Sequence, residues 1–417
     1  RMLRCGLLGR KLGHSYSPQI HRELSCYEYK LYEKEPEELE AFLKSGTFDG
    51  LNVTIPYKKT VMAYLDEISP EAAAIGSVNT IVNRGGKLTG YNTDAFGFSW
   101  LLQKSGVEAA DKKALVFGSG GASVTVCHVL KSLGADPVVV ISRTGENNYE
   151  NLDRHLDAKL LINATPLGMY PNNGESPVDL TRFPRCEAVL DVVYNPDKTE
   201  LILRAEEAEV PVAVGGLEML VAQAVYAAEC FLDRKFDDAP GEIRTITAAL
   251  RREQLNVALI GMPSSGKTTI GRALAEKLGK RFVDLDEEIV KAEGRSIPDI
   301  FAAEGEDGFR AKETEQTARF AKEGRQVLSC GGGVIKRPEN LRALRQNGVV
   351  LFIDRPLEDL AVGGGRPLSS STDALKEMEA QRRPLYLAAA DAVIPNKTTA
   401  ADAVAAALEA LDAIFVH

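Results

Sequence analysis

The stretch NVALIGMPSSGKTTIGRALAEKL, residues 256–278, constrains the fold of this chain more than any other. An apolar run ending at Ile260 passes into Gly261-Met-Pro-Ser-Ser-Gly266-Lys267-Thr268, a complete GxxxxGK[ST] loop, and then into a helical pattern. Glycines let backbone N–H groups curl around phosphate oxygens, and the start of the following helix adds partial positive charge. Lys267 is suited to reach the terminal phosphates of a nucleotide, and the Thr268 hydroxyl to ligate Mg²⁺. A chance glycine turn would need neither the strand before it nor the helix after it, and both are present. Such a unit belongs to an α/β fold, a parallel sheet with helices on both faces.

The loop leaves residues 1–255 to be explained. A chain of 417 residues has room for roughly two to four domains. Short apolar runs alternate with helical patterns at Leu3–Leu8, Gly50–Val53, Ala114–Phe117, Val138–Ile141, Leu160–Asn163, Ala188–Val192, Val212–Val214, Val257–Ile260, Arg281–Asp284, Val327–Ser329 and Val349–Ile353. This alternation implies βα units and mostly parallel sheets. FLDRKFDDAPGEIRTI, residues 231–246, lacks a strong apolar periodicity and marks a boundary. A glycine turn after Ala114–Phe117 restarts a nucleotide-binding pattern within the first half. The expected organisation is therefore 1–100, 101–216 and 254–417, with a helix over 217–235 returning to the first unit and 236–253 as a linker.

The formal net charge of −9 argues against a general binder of nucleic acid or anionic membrane. Anionic ligands must be held by local basic groups. The six cysteines, at 5, 26, 127, 186, 230 and 330, show no CxxC or Cys/His ligand spacing, as expected of thiols in a reducing compartment. No apolar run reaches membrane-spanning length and no secretory pattern precedes the first strand, so a cytoplasmic protein is expected. The sequence sets no oligomeric state.

Beyond the phosphate loop, RFVDLDEEI puts Asp284 and Asp286 at a strand end. A carboxylate pair there can order Mg²⁺ and hold a substrate hydroxyl, although Asp286 before EEIV is equally suited to cap a helix. EGEDGFRAKE offers Arg310. LSCGGGVI offers Gly331, Gly332 and Gly333 at the end of a buried strand, where backbone N–H groups can touch a small polar substrate. GGGRPLSSS puts Arg366 in a loop able to close over phosphates, and QRRPLY puts Arg382 on a helix. Three arginines without an aromatic nucleobase sandwich suggest a small carboxylate acceptor; each arginine alone is as compatible with a solvated surface.

In the first half, LVFGSGGAS is a strand, a glycine turn at Gly118 and Gly120, and a helix start. At the end of the next strand stand Ser142, Arg143 and Thr144, where NAD sites usually carry an acid. A missing acid and a present cation favour a 2′-phosphate, hence NADP(H). Residues 1–100 carry polar clusters: Ser15 and Ser17, two apart and so on one side of an extended segment; Asn52, Thr54 and Lys58; Asn79 and Thr80; Asn92 and Asp94. Hydroxyls, amides, one Lys and one Asp are what a polyhydroxylated carboxylate needs. A Lys beside an Asp can exchange a proton with an alcohol while hydride moves at carbon. Turn and cap formation is the plainer reading of each cluster.

With these residues in place, GMPSSGKTT, FVDLDEEI, EGEDGFR, SCGGGVI, GGGRPL and RRPLY resemble shikimate kinases over nearly all of the C-terminal half. The resemblance implies that ATP phosphorylates the 3-hydroxyl of shikimate. It implies that Asp286, Arg310, Gly332 and Arg382 hold shikimate, with Lys267 and Asp286 catalytic. Gly261, Ser264, Ser265, Gly266 and Thr269 would line the ATP site with Arg366 on the lid, and Thr268 and Asp284 would hold Mg²⁺. The lid stretch LAVGGGRPL is richer in glycine than is usual in the family, and the loop has Pro-Ser-Ser where many members carry a smaller Gly-Ala pair.

The first half, over residues 2–235, resembles shikimate dehydrogenases through GRKLGHSYSP, NVTIPYK, GSVNTIV, GYNTDAFG, FGSGGAS, SRT, INATPLGM, DVVYNP and GGLEMLVAQA. The resemblance implies reduction of 3-dehydroshikimate by NADPH. Ser15, Ser17, Thr54, Asn79, Asp94, Tyr194 and Gln223 would bind substrate, with Lys58 as acid/base and Asp94 its partner. Gly118, Ser119, Gly120, Gly121, Ala122, Ser142, Arg143, Thr144, Val192 and Gly216 would line the cofactor site. The family often has NRT for SRT, a longer excursion than Gly145–Ile162 before the NAT motif, and Asn in place of His21. The two halves together imply an enzyme that makes shikimate and then consumes it. Two other readings stay open: an NAD-dependent quinate/shikimate dehydrogenase fused to the kinase, and a shikimate-binding scaffold with one inactive half. Against the scaffold stand Lys58, Asp94, Lys267 and Asp286, all present.

Overall fold

A computed structural model describes residues 1–13, 15–24, 26–360 and 371–416. They form two compact units, Arg1–Thr247 and Ala248–His417.

The first unit holds two sheets. In one, β1 (Arg4–Gly9), β2 (Glu28–Glu33), β3 (Gly50–Val53), β4 (Glu67–Ile68), β5 (Thr80–Arg84) and β6 (Lys87–Tyr91) lie in the order β2-β1-β3-β5-β6-β4. The expectation of mostly parallel sheets holds across the chain except at β5, which is antiparallel to both β3 and β6. Gly85 and Gly86 join β5 to β6, both at positive φ (60° and 87°), as a two-residue hairpin turn requires.

The second sheet, of β7 (Ala114–Phe117), β8 (Val138–Ile141), β9 (Leu160–Asn163), β10 (Ala188–Asp191) and β11 (Val212–Val214), is wholly parallel in the order β11-β10-β9-β7-β8. The chain switches sides at β7, so a crevice opens at the carboxyl end of that strand, where dinucleotides bind in such sheets. Between β8 and β9 the crossover is trimmed to one 3₁₀ turn, Leu152–His155. The preceding loop closes on itself instead: Gly145 N donates to Ser142 Oγ (3.0 Å), and Glu150 N and Asn151 N donate to Asn148 Oδ1 (2.9 and 3.1 Å).

Helix Leu217–Leu232 leaves β11 and packs on helix Asp94–Lys104. Gly97 permits the close crossing, since a Cβ there would lie 2.5 Å from the Met219 carbonyl oxygen. The Phe231 ring fills the space over Gly50 of β3. The stretch read as a linker is mostly helical, Ala239–Gln254, and the boundary between the units falls inside it. Ile243, Ile246, Thr247 and Leu250 recur at helical spacing and are buried, a pattern that the flanking charges mask in the sequence.

In the second unit, β12 (Asn256–Ile260), β13 (Arg281–Asp284), β14 (Gln326–Ser329), β15 (Gly348–Asp354) and β16 (Ala392–Pro395) form a parallel sheet in the order β13-β14-β12-β15-β16. Side chains alternate across its faces. Val257 and Leu259 join Ile270, Leu274, Leu411 and Phe415 on one side, while Ala258 and Ile260 join Val334, Leu344, Leu375 and Tyr386 on the other. The phosphate loop thus springs from the central strand of a sheet with a core on each face. None of the described helices is long and apolar enough to cross a bilayer.

Candidate active sites

In the first unit, Lys58 lies in the turn after β3 and Asp94 opens helix Asp94–Lys104. Lys58 Nζ donates to Asp94 Oδ2 at 2.6 Å, with the two side chains 19% and 12% exposed. The pair abuts the nucleotide turn, for a Cβ on Gly121 would sit 3.4 Å from Lys58 Cδ.

Behind it lies a buried net of neutral groups. Asn79 Nδ2 donates to Thr93 Oγ1 (3.0 Å) and to Gln223 Oε1 (3.4 Å), while Thr93 N and Thr80 Oγ1 donate to Asn79 Oδ1 (2.7 and 3.2 Å). Thr93 Oγ1 donates to Gln223 Oε1 (3.1 Å). The sequence reading passed over Thr93, although it sits inside the quoted NTD triplet. Tyr194 shares a hydrogen bond with Ser15, and burial pushes its phenol above the usual range. Lys58 with Asp94, Asn79 with Gln223, and Ser15 with Tyr194 thus form three hydrogen-bonded groups of one unit.

Three expectations change. Ser15 and Ser17 are not on one side of an extended segment: Ser17 N donates to Ser15 Oγ (3.1 Å), and Ser17 opens helix Ser17–Leu24. Asn52 is occupied by scaffold contacts, accepting from Tyr29 OH (2.8 Å) and donating to Thr80 Oγ1 (3.2 Å). Asn92 donates to Ser77 O and Thr125 Oγ1 and accepts from Ala95 N, which fastens the helix start at Asp94. Thr54 stays beside the Lys58 turn, half-buried, its N–H donating to Leu8 O (2.9 Å). His21 is buried, stacked on Tyr29 at 4.0 Å, and held neutral by burial at a value of about 3.

On the cofactor side, Gly118 has φ +116°, and a Cβ there would be 2.9 Å from Ala164 O. Only glycine fits that turn. Gly120 has open space where its Cβ would be, and Ser119 and Gly120 are exposed ahead of helix Gly121–Ser132, in which Ala122 is half-buried. Arg143 and Thr144 are exposed at the end of β8, the strand beside β7, whereas Ser142 Oγ is engaged in closing its own loop. Gly216 presses on Val192, since a Cβ would lie 2.3 Å from the Val192 carbonyl oxygen. An open glycine cradle at a helix start, at the switch point and with a guanidinium on the next strand, fits NADP(H). Beneath it, the wholly buried Asp191 accepts from Val193 N (2.9 Å), Asn163 Nδ2 (3.0 Å) and Thr199 Oγ1 (2.7 Å). Burial outweighs these bonds and pushes its carboxyl up to about 7.

In the second unit, Gly261, Ser264 and Gly266 take positive φ (149°, 59° and 99°). Lys267 Nζ folds over the loop and donates to Gly261 O and Met262 O, both at 2.8 Å. Ser265 is buried beneath the loop, while Thr268 and Thr269 are exposed at the start of helix Lys267–Leu278. Thr268 Oγ1 donates to Asp284 Oδ2 at 3.4 Å. A hydroxyl and a carboxylate side by side are hard oxygen donors of the kind Mg²⁺ takes when phosphates and water complete its shell, so the pair fits that ion. The helix cap here is Asp284, which accepts from Asp286 N and Glu287 N. Asp286 is therefore not the cap and belongs to the cavity.

That cavity, about 420 Å³, is lined by Pro263–Thr269, Asp284, Asp286, Arg310, Glu313, Gly331–Gly333, Arg355 and Arg382, among others. Its three glycines are required by close approach. A methyl on Gly331 would stand 2.8 Å from Asp286 Oδ1 and 2.9 Å from Glu313 Oε2; one on Gly332 would be 3.0 Å from Arg382 Nη1; one on Gly333 would meet the Arg310 guanidinium. Tyr386 OH donates to Gly332 O (2.5 Å), one turn from Arg382 on helix Thr372–Ala389. Arg310 Nη1 donates to Glu313 Oε1 (2.8 Å). Glu313 escaped the sequence reading; its three-residue spacing from Arg310 on a helix was the available signal. Burial, then Glu313 and Asp284, pushes Asp286 up to about 6, and burial raises Glu313 despite Arg310 and Arg382. Asp286 Oδ1, Glu313 Oε2 and Arg310 Nε lack hydrogen-bond partners among the described residues. Each such buried atom costs about 1–3 kcal/mol, which a hydroxyl-rich ligand would recover. Arg366 lies outside the described residues.

Residues 263–412 match the shikimate kinase family, and residues 7–81 match the shikimate dehydrogenase substrate binding domain. The shikimate dehydrogenase (NADP(+)) of Clostridium beijerinckii is 40% identical over 253 residues, 55% of this chain and 93% of that relative. Among solved structures, a chorismate mutase/shikimate 5-dehydrogenase fusion protein from Clostridium acetobutylicum is 37% identical, with a TM-score of 0.55 over 59% of this chain and 97% of its own. The Thermus thermophilus shikimate 5-dehydrogenase, solved in complex with NADP(H) and shikimate, is 33% identical, with a TM-score of 0.54 over 60% of this chain and 100% of its own. The chain belongs to the shikimate dehydrogenase family and carries a shikimate kinase domain behind its dehydrogenase unit.

Proposed function

We propose that this chain reduces 3-dehydroshikimate to shikimate with NADPH and then phosphorylates the 3-hydroxyl of shikimate with ATP and Mg²⁺. The observation that carries this reading is that each unit sets a proton-handling group against a nucleotide loop: Lys58 on Gly121 in one, Asp286 in the cavity of the phosphate loop in the other.

In the dehydrogenase unit, bound NADPH supplies the hydride. Lys58 gives the proton to the oxygen of the reduced carbonyl, and Asp94 orients both the ammonium and the new hydroxyl. Ser15, Ser17, Thr54, Asn79, Gln223 and Tyr194 bind the ring hydroxyls and carboxylate. Gly118–Ala122, Thr144, Val192 and Gly216 line the cofactor site, and Arg143 selects the 2′-phosphate. In the kinase unit, Thr268 and Asp284 would hold Mg²⁺, which would supply charge neutralisation at the phosphates. Asp286 accepts the proton of the 3-hydroxyl as its oxygen bonds to the γ-phosphorus and ADP leaves. Arg310, Gly332 and Arg382 hold the acceptor, and Lys267 stabilises the moving phosphoryl group. A value of about 6 for Asp286 leaves it ionised at neutral pH yet basic enough to take a proton. A cytoplasmic setting suits a chain whose six cysteines are all unpaired. Its partners on this reading are the small-molecule substrates.

One coupled assay tests the whole. With 3-dehydroshikimate, NADPH, ATP and Mg²⁺, NADPH loss and ADP release should both appear, and ADP release should require NADPH. NADH replacing NADPH at equal rate would favour the NAD-dependent alternative; ADP release from added shikimate with NADPH untouched would sink the dehydrogenase assignment.

A further inference from the structure

The phosphate loop contains a residue that its backbone does not favour. Ser264 has φ +59°, in the left-handed region where a residue with a Cβ is penalised and glycine is not. Something must hold it there. The Ser264 carbonyl oxygen accepts from Arg355 Nη1 at 3.0 Å. Arg355 directly follows β15, and the loop lies against the end of that strand, since a Cβ on Gly261 would be 2.6 Å from the Ile353 carbonyl oxygen. The neighbouring carboxylate does not divert the guanidinium: Asp354 is gripped in bidentate fashion by Arg383, at 2.9 and 2.8 Å.

Three other carbonyls of the loop are pinned as well. Lys267 Nζ takes those of Gly261 and Met262, and Asn396 Nδ2 donates to that of Ser265 (2.8 Å). Carbonyls tied down in this way favour N–H groups turned to a phosphate, although that of Ser265 donates to Met262 O (3.2 Å). Lys267 has its own work on the nucleotide, and Asn396 acts on a residue whose φ is unremarkable. Of these three side chains, Arg355 is the one bonded at the strained position.

We infer that Arg355 is a positioning residue for the nucleotide: through the Ser264 carbonyl it clamps the loop in its phosphate-binding shape. This rests on the kinase reading above. Nucleotide affinity depends on the clamp, and shikimate affinity does not.

The test is a double-mutant cycle on the full chain, reading the Kd of Mg·ADP by calorimetry and the KM values of ATP and shikimate. Arg355→Met should raise Kd and the KM of ATP roughly tenfold, the scale of the left-handed penalty for a residue with a Cβ, with the KM of shikimate within about twofold. Ser264→Gly added to Arg355→Met should recover most of that loss, because glycine needs no clamp. Arg355→Lys, which keeps a donor but not the fork, should fall between. Unchanged nucleotide affinity in Arg355→Met overturns the proposal. So does a loss that Ser264→Gly leaves in place, since Arg355 would then act on the nucleotide itself. Failure of the unaltered chain to phosphorylate shikimate would instead bring down the kinase reading.

Discussion

The two sites hold charge in opposite ways. The dehydrogenase site has one ion pair, Lys58–Asp94, set in a net of amides and hydroxyls that already satisfy one another through Asn79, Thr80, Thr93 and Gln223. The kinase site packs two carboxylates and two arginines against bare backbone, and three of their polar atoms have no hydrogen-bond partner among the described residues. A satisfied neutral net fixes geometry before substrate arrives. A pocket of buried, part-unpaired charge holds interaction energy in reserve and makes itself sensitive to pH.

The largest effects should come from removing the proton and phosphate handlers. Lys58→Ala should cut NADPH oxidation by ~10²–10⁴-fold, the usual worth of general acid–base catalysis, while shikimate-driven ADP release persists. Lys267→Ala should do the reverse, lowering ADP release by roughly 10³-fold. Loss of both activities from either change would break the picture of two separate sites. A smaller loss should follow Gly333→Ala, because the new methyl must displace the Arg310 guanidinium. One charge-assisted hydrogen bond is worth about 1.5–3 kcal/mol, so the KM of shikimate should rise roughly 10–100-fold. An unchanged KM would mean Arg310 does not touch the acceptor.

The contrast sharpens with pH. On the proposed mechanism kinase turnover needs the Asp286 anion, so it should fall below about pH 6, by roughly tenfold per unit. Stability runs the other way. A carboxyl whose folded value is raised binds more protons folded than unfolded, so its contribution is full below the ordinary value of 3.8 and is lost as pH rises to about 6. Asp286→Asn should therefore lose turnover yet match or exceed the parent's thermal midpoint above pH 6. A lower midpoint there would mean the anion is stabilised by its surroundings, contrary to its burial.

What the sequence made legible follows the same division. The phosphate loop stood out because strand, glycines and helix are contiguous, and Lys58 and Asp94 lay in short polar clusters. β2, EYKLYE, was unread because it is an edge strand with polar residues on both faces, and β16 because it is four residues ending in proline. The β5–β6 hairpin was marked by Gly85-Gly86 but went unread amid the polar clusters around it. Glu313 hid in a helix crowded with charge. Arg355 and Asn396 could not be found locally at all: they lie 91 and 131 residues from the loop carbonyls they hold. A role carried by a side chain and a distant backbone atom leaves no motif.

Asp191 gives the smallest expected effect and the finest test of the comparison. Like Asp286, it is a carboxyl that burial pushes upward, to about 7. Unlike Asp286, all its bonds are internal: Oδ1 takes Val193 N and Asn163 Nδ2, and Oδ2 takes Thr199 Oγ1. An amide can reproduce these, with its oxygen accepting the first two and its NH₂ donating to the threonine hydroxyl. The folded state favours the protonated form between 3.8 and about 7, so Asp191 should weaken stability as pH rises through that window. Asp191→Asn removes the titration and should flatten that slope. The KM of NADPH should change no more than about tenfold, since loops joined by exchangeable hydrogen bonds lose only ~0.5–1.5 kcal/mol when one is weakened. A collapse of NADPH binding would show that the Asp191 anion is needed under the cofactor loops, and that the dehydrogenase unit, too, depends on a buried charge.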